Sequence, residues 1–130
     1  MNRLINYLGQ TPPLKLALAW TVTIIALLSI PGRDIPEIGP AGLDKPVHAF
    51  LFIVFTFLWA RSFKFNLLKS VGLAFVLGFI FAIASELYQG ILPFERTLDK
   101  YDVIANWTGT VIGCIISVYA LGDSHSKLET

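Results

Sequence analysis

The chain has 130 residues, 55% of them hydrophobic and only 15% charged, with a formal net charge of +1 and one cysteine. Ordinary soluble domains are about 25% charged, so this chain has too little polar surface to cover a globule, and a membrane protein is the simplest reading. The length allows one domain. The absence of a basic run gives no reason to expect nucleic acid, and Cys114 has no partner for an intramolecular disulfide.

The first apolar run, Leu14 to Ile30, would form a helix of about 26 Å, close to the hydrocarbon thickness of a bilayer, and Pro31-Gly32 stops it. A cleaved signal peptide is the rival, with Arg3 and Lys15 as its basic start, but Ser29-Ile30-Pro31 is a poor small-x-small cleavage site. Upstream, Leu4, Ile5 and Leu8 have the helical spacing of a segment lying on a membrane surface. Pro31 to Leu43, rich in proline and glycine, reads as a loop. The second run, Val47 to Ala60, is about 21 Å long and spans only if its flanks join the helix. That draws in Asp44, Lys45 and His48, with Asp44 or Lys45 as the N-cap and Pro46 in the first turn. Asp44 and His48, four apart, would then stack on one face.

A short basic turn with Arg61, Lys64 and Lys69 leads into the third run, which starts at Leu67 and stays apolar to Ser85. Glu86 and Gln89 share a face of its final turns, and Pro93 ends the helix. The fourth run, Val103 to Leu121, stops at Gly122, and Gly109 and Gly113 give it a close-packing face suited to a neighbour within the same chain. The fold expected is all-α: a bundle of four transmembrane helices spanning about 14–30, 44–61, 67–92 and 103–121, in one domain covering 1–130. Arg3, Lys15, Arg61, Lys64, Lys69 and Lys127 fall on one side of such a bundle, and Arg33, Lys45, Arg96 and Lys100 on the other. The positive-inside rule then places both termini in the cytoplasm.

This topology gathers three polar groups at one membrane face. Asp44 and His48 open the second helix, Glu86 and Gln89 close the third, and Asp99, Asp102 and Asn106 open the fourth, where they form a stripe with Gly109. Ionisable side chains in such segments cost roughly 2.5 to 3.5 kcal/mol each at mid-bilayer and usually face a site or a partner.

The pattern Asp44-Lys45-x-x-His48, Glu86-x-x-Gln89 and Arg96-x-x-Asp99-x-x-Asp102-x-x-x-Asn106-x-x-Gly109 resembles the VanZ-like family of small bacterial membrane proteins. The resemblance covers roughly Pro31 to Tyr119. It implies a multi-pass protein of the bacterial inner membrane, in a cell-envelope family named for a teicoplanin-resistance protein.

The residues leave three uses open. Counting Asp44, Glu86, Glu95, Asp99 and Asp102 against Lys45, Arg96 and Lys100 gives the mouth a net charge of about −2, which favours cations. As a structural network, Arg96 pairs with Asp99, Asp102 or Glu86, and Gln89 and Asn106 bond across helices. As a binding site, Asp44, Lys45, His48, Glu86, Gln89, Arg96, Asp99, Asp102 and Asn106 hold a lipid-linked envelope precursor or an amphiphilic glycopeptide antibiotic, Arg96 forking onto a phosphate and the carboxylates taking sugar hydroxyls or an ammonium group. As an enzyme on an envelope lipid, the candidates for catalysis are His48, Glu86 and Asp102. Asp44, His48, Glu86 and Asp99 or Asp102 are then possible divalent-metal ligands, or His48 is a general base oriented by Asp44 or Glu86.

Overall fold

A computed structural model describes residues 12–31, 44–93 and 98–126, with no side chains described after Asp123. Among these residues the secondary structure is entirely helical: α1 (Pro13–Leu28), α2 (Asp44–Ser62), α3 (Leu67–Ile91) and α4 (Lys100–Ser126). The surface segment expected at 1–13 and the loop expected at 31–43 lie almost wholly outside the described residues.

The helix ends follow local chemistry. Pro13, which has no N–H to lose, opens α1 after Pro12. Asn66 caps α3, its side-chain oxygen accepting from the Lys69 N–H at 2.9 Å. Leu92 turns extended, ψ 136°, immediately before Pro93, as the clash of a proline ring with the preceding residue requires. Two boundaries differ from expectation. The chain is already helical at Asp44, so neither Asp44 nor Lys45 is the cap of α2. Gly122 does not stop α4, which keeps helical backbone through it to Ser126 and packs Gly122 against Leu67 at 3.5 Å from where a Cβ would stand.

The other three helices pack around α2. It lies against α1, α3 and α4; α1 touches α3 and makes no contact with α4 among the described residues. Gly109 and Gly113 explain how closely α2 and α4 approach: a Cβ on Gly109 would lie 2.2 Å from the Ala49 carbonyl oxygen, and one on Gly113 would lie 2.8 Å from that of Ile53. The glycine pair therefore seats a helix of the same chain, as its spacing suggested. Gly78 admits Thr110 and Thr56 on α3 in the same way, with Thr110 Cγ2 at 2.8 Å from a built Cβ.

Aromatic rings join α2 and α3, Phe81 stacking on Phe55 at 4.8 Å and on Phe52 at 5.7 Å between centroids. The tryptophan N–H groups are spent on other helices: Trp20 donates to the Leu51 carbonyl at 3.0 Å, Trp59 to the Thr21 hydroxyl at 3.1 Å, and Trp107 to the Phe79 carbonyl at 3.4 Å.

Polarity is distributed inside out. Buried positions include Thr56, Ser70, Ser85, Glu86, Gln89, Asn106, Thr110 and Ser117, while Leu68, Val76, Ile80, Ile91, Ile104 and Ile115 are exposed on the outer faces. Water would penalise such a surface and lipid does not, and small or hydroxylated side chains are what membrane helices place between them. Two helices, α3 and α4, are long and apolar enough to cross a membrane; α1 is apolar but has 16 residues.

Candidate functional site

The three polar groups meet at one end of the molecule. Lys45, in the first turn of α2, reaches across to α4, where its ammonium donates to Asp99 Oδ2 at 2.7 Å and to Asp102 Oδ1; it also donates to its neighbour Asp44 at 2.9 Å. One turn on, the His48 ring lies against Asn106, with Nδ1 at 3.1 Å from Oδ1, and its Nε2 is 3.7 Å from Asp102 Oδ2. The stripe expected on α4 therefore does face α2, with Asp99, Asp102, Asn106 and Gly109 meeting Lys45, His48 and Ala49 in turn.

From α3, Glu86 completes the cluster. Its carboxylate accepts the Asp99 backbone N–H at 3.1 Å, just before α4 begins, and Asp99 Oδ1 accepts the Tyr101 N–H at 2.8 Å. Three carboxylates thus sit at the α4 N-terminus, where unpaired N–H groups and the helix dipole favour negative charge. The Lys45 ammonium beside Asp99, helped by the Tyr101 N–H, holds the Asp99 carboxyl below the usual carboxylate range.

Burial divides the group. Glu86 and Gln89 are 2% exposed and Asn106 is fully buried, whereas Asp44 is exposed and Lys45, Asp99, His48 and Asp102 are partly so. Asn106 carries the site's unfinished bonding: its Nδ2 is buried and has no hydrogen-bond partner among the described residues. Arg96, expected to pair with Asp99, Asp102 or Glu86, lies outside the described residues.

The residue that spacing undervalued is Lys45. Pairing Asp44 with His48 four positions on put the acid on the inner face, but Lys45 and His48, three apart, are the two that meet α4. As the Lys45 ammonium stands among Asp44, Asp99 and Asp102, it supplies the cation that this acidic cluster favours. Among the described residues no three His, Cys, Asp or Glu side chains are set together to hold a metal ion. A cavity of about 100 Å³ at the opposite end, lined by Ala60, Arg61, Phe63, Ser70 and Leu121, is remote from this chemistry.

A fold that is all-helical among the described residues, with lipid-suited outer faces and polar side chains gathered at one end, is that of a membrane protein. Residues 13–121 match the VanZ/LLP1 family, and the chain belongs to it. No curated protein and no solved structure matches the chain.

Proposed function

We propose that the protein crosses the bacterial cytoplasmic membrane four times with both termini inside, and that its polar end faces outward. There it binds the polar headgroup of a lipid-linked envelope precursor or of an amphiphilic glycopeptide of the teicoplanin type. One observation carries the reading: Glu86, Gln89 and Asn106 are buried, with an orphan amide nitrogen on Asn106, at the end of helices whose outer faces are apolar. A network serving only to lock helix ends would have every buried donor paired, because an unpaired one costs about 1 to 3 kcal/mol. An amphiphile fits this arrangement, its chain lying along the exposed aliphatic faces of α3 and α4 and its head entering the cluster.

The experiment is a thermal shift of the purified protein with lipid II and, separately, with teicoplanin. A saturable rise in midpoint with at least one of them, lost in His48→Ala, is expected. No response to either ligand would leave the structural network as the account of these residues.

A further inference from the structure

Asn106 also narrows the chemistry of what is bound. Its side chain has a carbonyl oxygen and an NH2 group, and among the described residues the only group bonded to either is the His48 ring. With Oδ1 accepting from Nδ1–H, the NH2 is left over. With the amide turned over, its NH2 donates to an unprotonated Nδ1 and the carbonyl is left over instead. Whichever way the amide lies, one half of a fully buried side chain lacks a partner, and which half depends on the histidine tautomer. A phosphate oxygen, acceptor only, would satisfy one of these arrangements; an ammonium group, donor only, would satisfy the other. A hydroxyl donates and accepts, and so satisfies both.

The surroundings favour the same group. The acids that would have drawn a cation are already turned to Lys45, at 2.7 Å from Asp99 and 2.9 Å from Asp44. Asp102 gives one oxygen to Lys45, and its other, Oδ2, stands 3.7 Å from the His48 Nε2 beside Asn106. An acceptor next to an amide that can turn either way matches adjacent hydroxyls on a sugar ring, one donating to the carboxylate and one meeting the amide.

Resting on the reading of this end of the molecule as a headgroup site, we infer that the group recognised at His48, Asp102 and Asn106 is a sugar, with one of its hydroxyls bonded to Asn106.

The test titrates octyl glucoside, octyl tetraoxyethylene ether and undecaprenyl phosphate into the protein held in lipid nanodiscs free of glycosidic detergent. Saturable binding of the glucoside and none of the ether is expected. Asn106→Leu should weaken glucoside binding by roughly tenfold, the equivalent of one lost hydrogen bond of about 1.4 kcal/mol. Asn106→Asp, which still accepts from His48 Nδ1–H and from a ligand hydroxyl, should stay within about threefold of the parent; it supplies the comparison if Asn106→Leu fails to fold. Gly72→Ala, at a glycine with nothing within 4 Å of a built Cβ, should bind as the parent does. Binding of undecaprenyl phosphate without the glucoside would overturn the sugar assignment and leave the headgroup site standing. Equal glucoside binding by the parent and Asn106→Leu, or loss of binding in Asn106→Asp, would also overturn it. No binding of any probe here, with no response to lipid II or teicoplanin, would remove both.

Discussion

Lys45 shows how one side chain sets the character of the polar end. Its ammonium faces Asp44, Asp99 and Asp102, and the pairing with Asp99 and Asp102 ties the start of α2 to the start of α4. Hydrogen bonds to charged groups contribute about 1.5 to 3 kcal/mol, but this side chain is 32% exposed and partly screened by solvent, so Lys45→Met is expected to cost about 1 to 2 kcal/mol at neutral pH. The pH dependence should change sign as well. Asp99 has a lowered folded value, so its contribution is complete above its ordinary value near 3.9 and is lost as pH falls through the lower folded value. The parent should therefore keep this contribution down to about pH 4 and lose it below. In Lys45→Met the carboxylates face one another without a cation, and protonating one relieves repulsion, so its stability should rise between pH 7 and pH 4. Denaturation of both proteins across that range checks this; parallel curves would show that Lys45 does not hold the acids together. The sequence made the membership of this cluster legible because charges are conspicuous in apolar runs. It did not make the pairing legible, because Asp44 and Lys45 are adjacent and only the rotation of α2 decides which of them turns inward.

At the scale of helices, closeness between α2 and α4 depends on what is missing from Gly109. A Cβ there would stand 2.2 Å from the Ala49 carbonyl oxygen and 2.9 Å from its carbon, both backbone atoms that cannot turn aside. Gly109→Ala must push the helices apart, which would also separate Asn106 from His48 one turn away, and a loss of about 1 to 3 kcal/mol or more is expected. Gly72→Ala is the matched control: with open space around it, the change brings only the better helix propensity of alanine, up to about 1 kcal/mol in favour of the fold. Unfolding measured for both variants decides the matter, and similar effects at the two positions would refute a direct α2–α4 backbone contact. Gly109 and Gly113 were readable as a packing face from their spacing alone. Gly78 also belongs to a row of small residues, with Ala74 and Ala82 four positions to either side, but what it admits, Thr56 and Thr110 from two other helices, follows only from the fold. The end of α4 differs from its expected stop because Gly122, though it has the composition of a helix stop, lies inside helical backbone that continues to Ser126.

For the whole molecule, the proposed topology makes the polar end face outward, and this can be measured independently of any ligand. Only α3 and α4 meet the demands of length and apolarity by themselves. The 19 residues of α2 reach about 29 Å only with Asp44, Lys45 and Arg61 inside the helix, and the 16 of α1 reach about 24 Å, so both need polar ends at the interfaces. Lys45 removes part of the cost at one end by being neutralised within the cluster. Single cysteines at Ala41, Lys64 and Asp123 in a Cys114→Ala background test the arrangement with a membrane-impermeant thiol reagent on intact cells. Ala41 should label from outside, and Lys64 and Asp123 only after lysis. Labelling of Lys64 and Asp123 but not Ala41 in intact cells would invert the protein and put the polar site in the cytoplasmic leaflet, where extracellular glycopeptides do not reach it. If Ala41 and Lys64 labelled from the same side, α2 would not cross the membrane, and Lys45, His48 and Asn106 would then meet in an aqueous interfacial layer instead of at the end of a spanning helix.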